Sequence, residues 1–432
     1  MNTLNETKII VPAGHPESVA RAIFALEEGI FTKIICGASN TNAGHVERLA
    51  LVYALSGVHV IDVAPSQQII QSAKAGIKKA SELYEKNPEA FSHYKEPVLM
   101  ISIDSGDDMH FRKAEINYEK CTNCLECIDS CPAGALSANC HCEKEQSSDE
   151  AIHQPFANSW IAASSPLGIP RNDGNKLILN KNNCFGCGKC SEACLQNAIE
   201  FTNFNNSLCH CEELATKQST NQNGLLRFAR NDEHSLKAVE IHTGNNSIEE
   251  VKNFLELNVS LLKNMELLSF CVESKRFNPA ELQNYVSSLI NLVDKSNECH
   301  CEACFASRGN LNISEIMRSP RPCRARDDKL KKVIIQIDGI PMGATDKHCS
   351  SLQAVSAAAI LLENKLDAYI QLSGGANHFT KKLVNQLGLK ISGIAYGTFA
   401  RKIILSYLDE LEDDFNAQLQ RIVNITTSLV DN

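Results

Sequence analysis

The chain lacks any apolar run long enough to cross a membrane. None of its apolar stretches approaches the roughly 18 residues that a membrane-spanning helix needs. The opening residues, Met1–Glu6, have neither the basic start nor the apolar run of a secretory signal. These two absences predict a cytoplasmic protein with no membrane span.

Basic and aromatic residues are also scarce. The 432 residues include 42 basic against 51 acidic residues, for a formal net charge of −9, and 6% are aromatic. Nucleic-acid binding requires a concentrated basic surface that neutralises phosphates. The composition therefore argues against DNA or RNA as a partner.

Cysteine, by contrast, is abundant, with 19 residues. Cytosolic thiols stay reduced, so closely spaced cysteines in that compartment indicate metal or redox chemistry before disulfides.

Eight cysteines form two runs with the same spacing, Cys-x2-Cys-x2-Cys-x3-Cys. The first run is Cys121, Cys124, Cys127 and Cys131, and the second run is Cys184, Cys187, Cys190 and Cys194. In ferredoxins with two 4Fe–4S clusters, the fourth cysteine of a run ligates the other cluster. This rule assigns Cys194 to the cluster of the first run and Cys131 to that of the second.

Two structural zinc sites are the alternative interpretation of these runs. Zinc sites usually pair cysteines across a longer loop, so the doubled run favours two 4Fe–4S clusters. One departure from the ferredoxin pattern is that Leu195, not proline, follows Cys194. We expect this difference to affect the turn and not the ligands.

A Cys-His-Cys-Glu motif occurs three times, at 140–143, 209–212 and 299–302. The residues after each motif lack a helical or strand period. The motifs either gather on a third metal or are copies of one inserted sequence, and they resemble the translated product of a dispersed repeat. Insertion is favoured, since surface loops tolerate long additions.

This interpretation removes eight further cysteines from the candidate ligands. They are Cys140, Cys142, Cys209, Cys211, Cys299, Cys301, Cys304 and Cys323. The three that remain, Cys36, Cys271 and Cys349, are scattered. An isolated cysteine in an apolar strand is usually a small core residue.

Outside the cysteine runs, short β-branched runs alternate with helical patterns, as in parallel β/α units. The predicted strands span residues 32–39, 59–64, 97–104, 237–243, 267–273, 333–338, 368–373 and 391–396. Eight such units favour a closed TIM-type (β/α)8 barrel over an open doubly wound sheet. The two-cluster segment is then a ferredoxin-like insertion after the third strand.

The predicted organisation is therefore a barrel in two parts. Residues 1–110 begin the barrel, 111–207 form the ferredoxin-type segment, and 236–432 complete the barrel. Repeat-derived insertions occupy 140–175, 208–235 and 299–329.

The loops after the last two strands contain Gly374, Gly375 and Gly397. Barrels commonly bind phosphate there through backbone N–H groups. The glycines thus predict a site for FMN or another phosphorylated ligand, with Arg401 to neutralise it. The alternative is that they only permit tight turns.

Polar residues near the ends of the predicted strands are candidates for proton transfer at the barrel mouth. They are Asp62, Asp104, Glu240, His242, Glu273, Asp338 and Gln371. No pair stands out by spacing, and His242 is the strongest candidate. Hydrogen bonding to backbone and solvent is the competing explanation, so no catalytic residue is assigned.

Segments around the cysteine runs resemble the light-dependent-period (LdpA) family, iron–sulfur proteins of circadian input. They include "PVLMISIDSGDDMHFRKA", "VIIQIDGIPM", "YIQLSGGAN" and "GIAYGTFARK". The resemblance covers nearly the whole chain apart from the N-terminal extension and the three insertions. It implies two iron–sulfur clusters, held by the eight cysteines of the runs, that report the cellular redox state to a clock.

Three functions are compatible with these residues. The first is a redox sensor or electron carrier that acts on a redox partner or clock-input protein. The second is a flavin oxidoreductase whose clusters relay electrons to FMN in the barrel. The third is a purely structural role for the clusters. The first is favoured, because strong cluster motifs stand beside few catalytic residues.

We predict that replacing Cys140 and Cys142 together with alanine leaves the iron content unchanged, because both belong to an insertion. Cys124→Ala, which removes a predicted ligand, should lower the iron bound per chain. Iron and sulfide analysis of anaerobically purified protein measures both effects. Loss of iron from the double variant would show instead that the Cys-His-Cys motif binds metal.

Overall fold

The computed structural model describes residues 16–106, 108–139, 176–203, 236–297, 332–340, 349–408 and 415–430. The predicted insertions 140–175, 208–235 and 299–329 lie outside these residues. The chain divides into a barrel unit, Met1–Arg112 with Asn203–Asn432, and a smaller cysteine-containing unit, Lys113–Thr202. In the described residues, no helix is both long and apolar enough to span a membrane.

The strands are, in chain order, β1 (Phe31–Ile35), β2 (Val60–Val63), β3 (Val98–Asp104), β4 (Arg112–Ile116), β5 (Leu136–Asn139), β6 (Lys176–Leu179), β7 (Ile199–Asn203), β8 (Ala238–His242), β9 (Leu267–Glu273), β10 (Lys332–Asp338), β11 (Tyr369–Leu372) and β12 (Gly393–Tyr396). Eight of them close a barrel in the order β1, β12, β11, β10, β9, β8, β3, β2. The pairs are parallel, as between β3 and β8. The predicted (β/α)8 barrel, with the cysteine segment entering after its third strand, is confirmed.

The helices are α1 (Glu17–Glu28), α2 (Ala43–Leu55), α3 (Gln67–Lys86), α4 (Glu126–Asp129), α5 (Lys189–Glu192), α6 (Ile248–Leu257), α7 (Val259–Leu262), α8 (Pro279–Asn297), α9 (Leu352–Leu362), α10 (Thr380–Gln386), α11 (Thr398–Leu408) and α12 (Phe415–Thr427). Helix α1 was not predicted. Its apolar residues Val19, Ile23 and Leu26 pack with the first inward-facing residues of the strands, so α1 closes the N-terminal end of the barrel.

Side chains alternate between the two faces of each barrel strand, as strand geometry requires. Outward residues such as Ile61, Val239 and Ile335 pack against the helices in one large apolar core. The inward residues change character along the barrel. They are apolar at the N-terminal end and polar towards the C-terminal end, where Lys33, Glu240 and their neighbours lie buried.

The smaller unit contains two short sheets, β4 with β7 and β5 with β6. Strands β5 and β6 are antiparallel, with Leu136 opposite Leu179. Its core combines aliphatic side chains with cysteines of both runs, including Cys127, Cys184 and Cys190. The cysteines therefore occupy the interior of this unit as well as its loops.

Helices α2 and α3 cross closely at Gly76. A Cβ atom there would overlap the carbonyl oxygen of Glu47 on α2. We therefore predict that Gly76→Ala lowers the free energy of unfolding by about 1–3 kcal/mol through overpacking, although alanine is the better helix former. Urea unfolding followed by circular dichroism measures this change.

Gly44→Ala is the matched control, because the nearest atom to a Cβ at Gly44 lies 3.8 Å away, on Asn42. Its free energy of unfolding should stay the same or rise by up to about 1 kcal/mol. Equal effects of the two substitutions would refute the close helix crossing.

Candidate functional site

The two cysteine runs fold into matching loops. The residues on either side of the second cysteine have positive φ in both runs: Asn123 (53°) and Leu125 (66°) in the first, Gly186 (69°) and Gly188 (87°) in the second. A leucine in this region is strained and persists only where its surroundings hold it. A single-turn helix, α4 or α5, follows in each run.

The turns after the fourth cysteines match as well. Gly134 and Asn197, at equivalent positions, have φ values of 57° and 48°. The backbone N–H of Ala135 donates to Cys131 Sγ over 3.3 Å, and that of Ala198 donates to Cys194 Sγ over 3.3 Å. The turn therefore has the same form although Leu195 replaces proline.

The structure brings the fourth cysteine of each run to the other run. Cys131 lines one cavity with the cysteines of the second run, Cys184, Cys187 and Cys190. Cys194 lies near the first run, because its charge is among those that act on Cys127. Burial and the neighbouring thiolates raise the pKa of Cys127 to about 11. Two groups of four cysteines result, and each contains three from one run and one from the other.

These groups fit an iron–sulfur cofactor by their donor chemistry. Burial and the thiolates of Cys187, Cys184 and Cys131 raise the pKa of Cys190 to about 12. Clustered thiolates repel one another, and an iron cluster relieves that repulsion when it binds them. Backbone N–H groups are also directed at the sulfurs: those of Ala114 and Gly186 lie 3.4 Å from Cys184 Sγ.

Lys113 supports the second cysteine loop and was not predicted from the sequence. Its side chain is 3% exposed. Its Nζ donates to the carbonyl oxygens of Lys181 over 2.9 Å and of Cys184 over 2.6 Å. Burial lowers its pKa to about 8, so a cation lies beside this loop through most of the neutral range.

A network of charged and polar side chains occupies the barrel interior. Lys33 on β1 forms a fully buried ion pair with Glu240 on β8 and lies 4.0 Å from Asp62 on β2. Glu240 also accepts hydrogen bonds from Ser269 and Gln336, both over 2.9 Å. Buried charges require such partners, because desolvation otherwise disfavours the ionised form.

The two carboxyls near Lys33 differ in protonation. Burial raises the pKa of Asp62 to about 7, even though Lys33 opposes the shift. Burial also disfavours ionised Glu240, but Lys33 and His242 outweigh it and hold the pKa of Glu240 below its ordinary value. Glu240 is therefore the charged partner of Lys33 at neutral pH, and Asp62 is partly protonated.

Two imidazoles and two carboxyls meet at the C-terminal mouth of the barrel. His110 Nδ1 lies 2.6 Å from Asp108 Oδ1, and His110 Nε2 lies 3.3 Å from Asp338 Oδ2. His242 Nδ1 lies 3.4 Å from Asp108 Oδ2. Burial disfavours the charge on Asp108, but His110 and His242 outweigh it and hold its pKa well below the ordinary range. We call Asp108, His110, His242 and Asp338 the mouth cluster.

The seven strand-end residues fall into three positions. Asp62 and Glu240 lie in the interior network, and His242 and Asp338 lie in the mouth cluster. Asp104, Glu273 and Gln371 stand beside them: burial raises the pKa of Asp104 to about 6, Glu273 pairs with Lys275 over 3.4 Å, and Gln371 is fully buried.

The sequence analysis missed Lys33, Asp108 and His110. Lys33 lies in an apolar predicted strand and was not singled out. Because strand residues alternate between two faces, its position in the strand could have shown that its side chain points into the barrel. Asp108 and His110 were not among the candidates, because they follow the end of the predicted strand 97–104 by several residues. The Asp108 side chain caps a short 3₁₀ helix, Met109–Phe111, which presents His110 to the cluster.

The predicted phosphate-binding glycines have close packing partners. A Cβ at Gly374 would overlap the carboxylate of Asp338, and one at Gly375 the carbonyl oxygen of Ser350. Arg401 donates to the carbonyl oxygen of Ile35 over 3.2 Å and to Thr398 Oγ1 over 3.1 Å. These contacts explain two of the glycines without a ligand. Binding of FMN at Gly374, Gly375 and Gly397 stays a prediction.

The other three cysteines that the structure describes are separate from the two groups. Cys36 and Cys271 are buried and Cys349 is exposed. Burial raises the pKa of both Cys36 and Cys271 to about 12. Neutral, buried thiols of this kind are inert core residues.

Comparison with protein families gives two matches. The family described as "Light dependent period A C-terminal domain" matches residues 312–431, and the "4Fe-4S binding domain" family matches residues 114–137. A curated protein of Synechococcus elongatus, Light dependent period A, is 24% identical over 398 residues, which cover 90% of this chain and 85% of that protein.

Among solved structures, two chains from Pyrococcus furiosus align with this one. They come from the tryptophan synthase α2β2 complex and the tryptophan synthase A-subunit, each 8% identical over 93% of this chain and 96% of theirs, with TM-scores of 0.32 and 0.33. The barrel is established by this chain's own strand order and not by that likeness. The sequence relationships confirm the resemblance: the chain is similar to Light dependent period A, matches the C-terminal domain described for it, and carries a 4Fe–4S motif that supports an iron–sulfur protein.

Proposed function

We propose that this protein binds two 4Fe–4S clusters and acts in the cytoplasm as a redox sensor or electron carrier. The observation that carries the proposal is the exchange of the fourth cysteines between the two loops. Cys121, Cys124, Cys127 and Cys194 hold one cluster; Cys131, Cys184, Cys187 and Cys190 hold the other. This is the ligand arrangement of two-cluster ferredoxins, whose function is to move electrons.

The two clusters would differ in access to solvent. In the first group Cys124 is exposed and Cys121 is half-buried, whereas Cys184 and Cys190 of the second group are buried. Electron exchange with another protein requires close approach, so the first cluster is the contact point for a partner. The second cluster is then shielded from solvent and holds the electron between transfers.

The surroundings would also separate the two reduction potentials. The Lys113 ammonium and the N–H groups of Ala114 and Gly186 lie at the Cys184 loop. Positive charge and hydrogen bonds to sulfur favour the reduced, more negative cluster. The second cluster is therefore the one reduced first.

A partner protein would respond to the reduction state of the clusters. Reduction changes the charge of a cluster and so biases the adjoining surface between two binding states. The relative carries the name Light dependent period A, and on that relationship the partner is a clock-input or other redox protein.

Single substitutions test the exchange of ligands between the loops. We expect Cys194→Ala to perturb the same cluster as Cys124→Ala, and Cys131→Ala the same cluster as Cys187→Ala. Each variant should keep about four of the eight irons that two clusters require. Iron analysis and paramagnetic-resonance spectra of the reduced proteins measure the loss and identify the surviving cluster.

Cys349→Ala is the control, because this cysteine is exposed and lies outside both groups; it should keep all the iron. If Cys194→Ala instead gave the spectrum of Cys187→Ala, each run would hold its own cluster. Fewer than about four irons per wild-type chain would refute the two-cluster proposal.

A further inference from the structure

The mouth cluster has the donor atoms of a metal site. Asp108, His110 and His242 each offer one ligand atom, and these atoms lie within 4.8 Å of one another. Asp338 lies outside this group and supports it: its Oδ2 lies 3.3 Å from His110 Nε2, which leaves Nδ1, on the side of Asp108, to bind an ion. These residues come from the ends of β8 and β10 and from the segment that follows β3, so barrel closure brings them together.

His242 is an incompletely satisfied buried group. Its side chain is 5% exposed, its Nδ1 lies 3.4 Å from Asp108 Oδ2 and its Nε2 lies 3.2 Å from Glu240 Oε1, yet neither nitrogen forms a hydrogen bond of acceptable geometry within the described residues. Buried polar groups nearly always have such partners, and an exception calls for an explanation. A neutral imidazole nitrogen is also the commonest protein ligand for transition metals.

Aromatic packing holds the His242 ring in place. The Phe111 ring meets it edge-on at a centroid distance of 5.1 Å and an angle of 88°. The His110 ring lies 5.1 Å away on another side. An imidazole oriented before binding loses less freedom when it coordinates an ion.

The charges of the cluster also favour a cation. The carboxyls of Asp108 and Asp338 are 2% and 7% exposed. The ammonium of Lys33 is already engaged with Glu240 and Asp62. A divalent ion bound there would take over the compensation of the Asp108 charge that His110 and His242 provide in its absence, and a buried carboxylate requires such a counter-charge.

We infer that Asp108, His110 and His242 bind one divalent transition-metal ion, such as Mn²⁺, Fe²⁺ or Zn²⁺, while Asp338 orients the His110 ring. Two imidazole nitrogens and one carboxylate form a donor set without thiolate that suits such ions. The neighbouring combination of Glu240, His242 and Cys271 is less suitable, because the Lys33 ammonium is paired with Glu240 and repels a cation.

The place of the site in the barrel gives the ion an entry route. The His110 side chain is 18% exposed, whereas Asp108 beside it is 2% exposed. The C-terminal mouth is also where barrel enzymes place their ligands. The inference does not depend on the cysteine clusters, since its four residues all belong to the barrel unit.

Mn²⁺ is the probe that separates this site from the cysteines, because it prefers oxygen and nitrogen donors to thiolates. The iron-loaded protein is titrated anaerobically with Mn²⁺, and the room-temperature resonance of free Mn²⁺ is followed. We expect one tightly bound ion per chain. Asp108→Asn and His242→Gln should each weaken binding by at least about 100-fold, since even residues that only support metal ligands contribute about 10–100-fold.

Glu273→Gln is the matched control. It removes a carboxylate from the end of the adjoining strand β9 without removing a proposed ligand, and so reports the effect of charge alone. Its affinity for Mn²⁺ should change by less than about threefold, well below the effect of removing a supporting residue. Circular dichroism and iron content establish that each variant is folded, and His110→Gln replaces any that is not.

Two results would overturn the site. One is the absence of stoichiometric Mn²⁺ binding by folded wild-type protein. The other is equal affinity of the ligand variants and Glu273→Gln, which would assign the binding to general surface charge.

Discussion

The buried ion pair between Lys33 and Glu240 is the interaction on which the barrel interior depends. It joins β1 to β8 across the barrel, between residues 207 positions apart in the chain. Both side chains are fully buried, so loss of either partner would leave an uncompensated charge at a cost of about 3–5 kcal/mol. Ser269 and Gln336 complete the hydrogen bonding of Glu240, and His242 stands next to it towards the mouth.

The barrel interior therefore has two different ends: an apolar N-terminal end that stabilises the fold, and a polar C-terminal end that contains the candidate site. At the N-terminal end, α1 and the apolar inward residues pack into a buried hydrophobic cluster. Towards the C-terminal end, charged groups from β1, β2, β8 and β10 lie close together, where low dielectric strengthens their interactions. The same division between the two ends is general among barrels. Functional residues lie at the C-terminal face, and residues important for stability lie at the opposite face.

The barrel also explains how the chain accommodates its cysteine unit. Strands β3 and β8 pair directly, so closure does not require a helix between them. Any folded segment whose ends meet can occupy that connection, because lengthening a loop adds only slowly to its closure entropy. The two cysteine loops then fold by their own local rules: matched positive-φ residues, single-turn helices and N–H groups directed at sulfur.

Much of the fold and of the cysteine site could be predicted from the sequence because both depend on short-range patterns. The spacing of Cys121 to Cys131, and its repeat at Cys184 to Cys194, is a local constraint. Alternating strand and helix patterns likewise indicated eight β/α units. Helix α1 was missed, since only its contact with the open end of the barrel distinguishes it from an N-terminal extension.

The sequence by itself determined the cysteine runs, the barrel class and the resemblance to the light-dependent-period family, each of which is encoded in residues close together in the chain. Only the tertiary structure decided that Lys33, Glu240, His242 and Asp108 share one site. Those residues come from separate strands and loops, and their proximity arises from barrel closure and strand register. No spacing along the chain records that geometry, which is why Asp108 and His110 were not recognised as site residues from the sequence.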